Sequence, residues 1–178
     1  AAVSRPPSLK AIVPGVTSSD YYEGWTYQGG ALSYGFVASW AMFALTLGNL
    51  GAINRRIAIP EGTRQRLVKN IDAMLEESLW FLPLKEFPYL KDGLAPFFYD
   101  WLDHPTEDEY WQNIRIENHY ENIEVAALNV GGWNDIFLNG TLKNYTGMTQ
   151  KGKSDLIRRG QKLIIGPWHH SAPAPEYS

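Results

Sequence analysis

Residues 123–166 read strand, helix, strand, and no other stretch of the chain restricts its fold as much. IEVAALNVGG (Ile123 to Gly132) is a nearly continuous apolar run, IFLNGTLKNYTGM (Ile136 to Met148) has helical spacing, and QKLIIG (Gln161 to Gly166) is a second apolar run. Two strands of this kind joined through a helix run parallel. A parallel sheet is buried on both faces, so the pattern calls for an α/β fold with helices covering the sheet. LKAIVPGV (Leu9 to Val16), stopped by Pro14 and Gly15, reads as a further buried strand of the same sheet.

Between these parts the character changes. GFVASWAMFALTLGN (Gly35 to Asn49) reads as a buried helix, and Pro60 and Glu61 open a second one whose face of Leu67, Ile71, Met74, Leu75 and Leu79 is apolar. APFFYDWLDH forms a third helical patch that stops before Pro105, and Thr106 with Glu109 spells a capping box. The reading is therefore three segments: sheet core over 1–17, an all-helical cap inserted over 18–118, and the returning sheet core over 119–178.

Bulk properties remove several classes of function. A formal charge of -3 with scattered Lys and Arg leaves no basic stripe for nucleic acid or an anionic membrane. No apolar run reaches the roughly 18 residues that span a bilayer. With no cysteine, a thiol nucleophile and thiolate metal sites are excluded by counting, and nothing in the pattern asks for a metal or cofactor. Aromatic residues make up 13% of the chain and concentrate over 21–43 and 80–111, which suits a pocket wall as well as a helical core. The compartment is not legible, and self-association stays open.

Chemistry gathers at the carboxyl ends of parallel strands, where the loops converge. One such end carries GGWND with Asp135, the other GPWHHS with His169 and His170. An acid after one strand and a histidine after the next is the tail of the Ser, Asp, His order of α/β-hydrolases. Each residue also has a plain structural use: Asp135 as a cap of the helix at Ile136, either histidine as a packed polar group. His104 and His119 read as structural. No G-x-S-x-G is present; the nearest match, ALSYG with Ser33 at its centre, follows the polar, glycine-rich EGWTYQGG rather than a buried strand. The nucleophile is expected upstream of Ala1.

These residues resemble the cocaine esterase-like acyl hydrolases of the X-Pro dipeptidyl-peptidase group of α/β-hydrolases. AAVSRPPSLKAIVP is similar to the segment after that family's nucleophile elbow, Asp20 through GGALS and Trp40 to the entry of its helical cap, and DHPTEDEYWQNI to the cap's exit. GGWNDIF resembles its acid loop and GPWHHS its G-P-W-x-H-S histidine loop. The resemblance implies Asp135 as triad acid and His170 as general base, with His169 at a variable position. Trp25, Trp40 and Phe137 stand at the spacings of the aromatic residues that enclose the acyl group. It also implies a serine and an oxyanion hole before Ala1 and a jelly-roll domain beyond Ser178.

The leading expectation is a serine-dependent acyl hydrolase acting on a small ester or amide, present here without its nucleophile and inactive as an isolated chain. Two alternatives stand beside it. One is a non-catalytic ligand-binding or assembly module with an aromatic helical pocket. The other is a peptidase releasing X-Pro dipeptides, which would need an acidic site for the substrate's amino terminus.

Overall fold

The computed structural model describes residues 1–42, 53, 55–57, 59, 62–63, 65, 76–77, 79–91 and 93–170. In chain order the first elements are β1 (Ala11–Ile12), β2 (Tyr27–Gln28), β3 (Ala31–Leu32) and α1 (Tyr34–Trp40). Then follow α2 (Pro96–Asp103), α3 (Glu109–Ile114), β4 (Ala126–Asn134), α4 (Leu138–Lys151), α5 (Asp155–Arg159) and β5 (Lys162–His169). The chain divides into two units, Ala1–Trp25 with Glu107–Ser178, and Thr26–Thr106.

The first unit holds a three-stranded parallel sheet in the order β1-β4-β5. β4 takes the centre because its residues are mostly apolar or small on both sides: Ala127 and Gly131 are buried, Ala126, Leu128 and Val130 are half-buried, and the buried Asn129 donates to the Lys162 carbonyl of β5 (3.2 Å). Beyond β1, Gly15 still bridges to Val130. Crossing from β4 to β5, α4 packs back with Gly140, Thr141, Asn144 and Met148 buried, a helical stripe made mostly of small or polar residues. The close approach depends on glycine. A Cβ on Gly140 would lie 2.6 Å from Ser18 Cα, and one on Gly147 would lie 2.0 Å from the Tyr120 ring. Asn144 joins both neighbours, accepting from Tyr120 Oη (3.0 Å) and donating to the Ser18 carbonyl (3.3 Å). The apolar core here comprises Tyr120, Ile123, Val125, Ala127 and Met148.

The second unit is not helical throughout. Tyr27–Gln28 and Ala31–Leu32 form a two-stranded antiparallel hairpin, where the sequence reading had no strand. Its turn is Gly29-Gly30, both at positive φ (58° and 81°), the conformation that a two-residue hairpin turn demands and glycine accepts without strain. α2 starts at Pro96 and ends before Pro105 as the sequence suggests, burying Phe98 against Phe87, Val37 and Leu90. The cap on α3 differs from the expected Thr106: Asp108, immediately before the first helical residue, accepts from the Tyr110 N–H (3.0 Å). The expected helix after Pro60 and the end of the one over 35–49 lie outside the described residues.

Candidate active site

β4 and β5 run in register from Leu128–Lys162 to Gly132–Gly166, so their carboxyl ends emerge side by side. Directly after β4 the chain turns into α4, and Asp135 sits at that turn. Its backbone N–H donates to the Gly132 carbonyl (3.2 Å), and its Oδ1 accepts from the Phe137 N–H (3.0 Å). The local hydrogen bonding of a short Asp side chain to the residue two ahead is what an aspartate does in such a turn. Directly after β5, His170 reaches back. Its Nδ1 lies 2.9 Å from the same Asp135 Oδ1.

The two partners differ sharply in exposure: the Asp135 side chain is fully buried, while that of His170 is 45% exposed. A carboxylate is acceptor-only, so Nδ1 carries the hydrogen and the neutral ring is left with its Nε2 lone pair available to take a proton. The buried carboxylate then favours the imidazolium that results. Oδ2 of Asp135 is buried with no hydrogen-bond partner among the described residues.

Aromatic rings close one side of the pair. Phe137, buried, presents its ring edge-on to His170 (centroids 5.1 Å, 78°), and Trp25 stacks flat on Phe137 (4.4 Å, 8°). Trp25 comes at the end of a segment anchored by charge. Asp20, buried, accepts from the Tyr22 N–H (2.8 Å) and pairs with Arg115, which also pairs with Glu107. Burial alone would lower the Arg115 pKa; the hydrogen bonds and charges of Asp20 and Glu107 outweigh it and raise the pKa instead. Beside it Ser19 Oγ donates to Glu117 (2.7 Å), which also meets Lys143 (3.1 Å). Burial opposes ionisation of Glu117, but these partners win and its pKa is lowered. Tyr120 beneath is raised, by burial first and by Glu117 second.

The comparisons with known proteins meet this geometry. The model of the X-Pro dipeptidyl-peptidase (S15) family matches residues 1–172, nearly the whole chain. The chain belongs to the X-Pro dipeptidyl-peptidase family. Among curated members of wider kinship, a protein named cocaine esterase, from Rhodococcus sp. (strain MB1 Bresler), is 32% identical over 176 residues. That match takes in 96% of this chain and 28% of the esterase, so the chain spans between a quarter and a third of the relative's length.

Of the residues expected in the site of this family member, Asp135, His170, Phe137 and Trp25 are brought together in the first unit. Trp40 belongs to the second, on α1, where it stacks with Phe36 and Trp101 (both 6.5 Å). Ser33 precedes α1 after β3, a strand of the hairpin and not of the parallel sheet, so its strand-to-helix turn is not an elbow of that sheet. Ser18 and Ser19 are engaged, donating to the Asp20 carbonyl (2.5 Å) and to Glu117. Among the described residues no three His, Asp or Glu side chains converge as a metal site requires, and no helix is long and apolar enough to cross a membrane. The sequence reading missed the Asp20–Arg115–Glu107 anchor, which has no motif and arises from pairing between distant segments of the chain.

Proposed function

We propose that this chain supplies the acid and the base of a serine-dependent acyl hydrolase, with Asp135 orienting His170 and His170 relaying the proton. The serine is supplied by a part of the protein outside residues 1–178. It attacks an ester or amide carbonyl as His170 Nε2 takes its proton; the acyl-enzyme forms, and the same nitrogen returns the proton to the leaving group. Water then repeats the cycle. Asp135 stays ionised throughout and holds the imidazole in the tautomer with hydrogen on Nδ1.

The observation that carries this reading is the hydrogen bond from His170 Nδ1 to the buried Asp135 carboxylate at the adjoining ends of two parallel strands. A purely structural Asp135 could cap the turn through its Phe137 N–H alone, and a non-catalytic module gains nothing from a second, half-exposed imidazole on the same carboxylate oxygen. The esterase among the relatives favours an ester, and the Trp25–Phe137 stack beside His170 suits a flat or bulky acyl group. The dipeptidyl-peptidase alternative needs an acid for the substrate's amino terminus. Asp20 does not serve, because its carboxylate is committed to Arg115 and the Tyr22 N–H.

The test is activity-based labelling and kinetics in the full-length protein. A fluorophosphonate should label one serine, and His170→Ala should lower kcat by about 10⁴-fold or more while His169→Ala does far less. Equal losses from the two histidines, or no labelled serine, would overturn the proposal.

A further inference from the structure

GPWHHS presents Asp135 with two histidines, and the strand register decides between them. Had the alignment of Gly132 with Gly166 continued, Asp135 would stand opposite His169. Instead Asn134 pairs with His169, one residue out of step, so that Asp135 comes level with His170. The extra residue of β5 lies in Pro167-Trp168, where proline has no N–H to give the ladder. Because side chains alternate along a strand, a slip of one residue exchanges one histidine for the other.

Two bare glycine positions accommodate the slip. A Cβ on Gly132 would lie 2.1 Å from the Trp168 carbonyl oxygen and 2.7 Å from its Cδ1. A Cβ on Gly166 would lie 1.9 Å from the six-membered ring of the same indole. Since Gly132 and Gly166 are register partners, their Cα atoms form one flat bed, and Trp168 lies across it with its backbone over one glycine and its ring over the other. The bulge cannot relax into the continuous register without lifting that ring.

We infer that Trp168 is a positioning residue: clamped on the Gly132–Gly166 bed, it holds the β5 bulge that sets His170, and not His169, against Asp135. This deepens the proposed role of His170, and its kinetic arm rests on that reading. Its spectroscopic arm does not.

The experiment compares Trp168→Leu, Trp168→Phe and Gly132→Ala in the full-length protein labelled with ¹⁵N-histidine, the His170 signals being those lost in His170→Ala. Leucine removes the flat ring, phenylalanine keeps one, and alanine at 132 forces the Trp168 carbonyl away. In wild type and Trp168→Phe the neutral His170 ring should show the tautomer with hydrogen on Nδ1. In Trp168→Leu and Gly132→Ala that tautomer should be lost, with kcat for an ester falling about 10²-fold, the cost of a displacement near 1 Å, at a KM changed less than threefold. Trp168→Leu retaining the tautomer overturns the inference. If that variant does not fold, an intact tautomer in Gly132→Ala overturns it, and so does Trp168→Phe losing it as fully as Gly132→Ala. An enzyme in which His170→Ala is harmless, but in which the tautomer follows residue 168 as described, sinks the hydrolase reading and leaves this one standing.

Discussion

Replacing Gly140 by alanine sets two effects of known size against each other. Glycine inside a helix costs about 1 kcal/mol relative to alanine, so on propensity alone the variant is more stable. The new Cβ, however, would lie 2.6 Å from Ser18 Cα and 2.7 Å from Ser19 N, both backbone atoms that no rotamer change can move. Reaching ordinary contact at 3.4 Å requires α4 and the 18–19 segment to part by about 0.8 Å. Side-chain hydrogen bonds join α4 to residues 17 and 18, Asn144 Nδ2 to the Ser18 carbonyl (3.3 Å) and Thr141 Oγ1 to the Thr17 carbonyl (3.5 Å), and both are already long. Such an opening breaks them, at about 1 kcal/mol each, and the overpacking itself costs about 1–3 kcal/mol. The net is a destabilisation of about 2–4 kcal/mol after the propensity gain is credited. Urea denaturation of the full-length protein reads it as a lower midpoint at unchanged slope. Gly35→Ala is the control: it lies in the first turn of α1, where an added Cβ would meet none of the described residues within 4 Å, and should be neutral or stabilising by less than about 1 kcal/mol. A Gly140→Ala protein as stable as wild type would refute the reasoning that this glycine exists for backbone contact.

Asp135→Asn keeps the shape but removes the charge and the fixed Nδ1–H tautomer, so kcat for an ester should fall on the order of 10⁴-fold with little change in KM; a loss below tenfold would mean that His170 works without it. Arg115→Met takes the guanidinium away from the buried Asp20 carboxylate and should cost about 3 kcal/mol in a urea titration, partly recovered by Arg115→Lys, whereas Asp20→Asn combined with Arg115→Met should restore part of that loss. Glu117, whose pKa is lowered in the folded chain, contributes stability that is present above its ordinary value of 4.5 and lost as pH falls through the lowered value. Glu117→Gln should therefore destabilise at pH 6 and much less at pH 3. A deficit equal at both pH values would place its role in packing rather than charge.

The α/β class was legible because strand and helix periods are written into hydropathy, and the positions of Asp135 and His170 at two strand ends follow from that pattern alone. The inserted hairpin at Tyr27–Leu32 was not, since its signal is a Gly-Gly turn between strands of two residues each, too short for any period to register. The stripe on α4 is equally faint in hydropathy, because it is built of Gly, Thr and Asn whose fit depends on what lies opposite. The Asp20–Arg115 pair spans 95 residues of sequence and becomes visible only when the chain returns. Local chemistry thus set which residue types stand where the strands end. Periodicity left Asp135 facing two adjacent histidines, with the motif resemblance alone favouring His170; that His170 and not His169 stands 2.9 Å from Asp135 is a matter of tertiary structure, because β5 slips one residue against β4 and register is set across the sheet rather than along the chain.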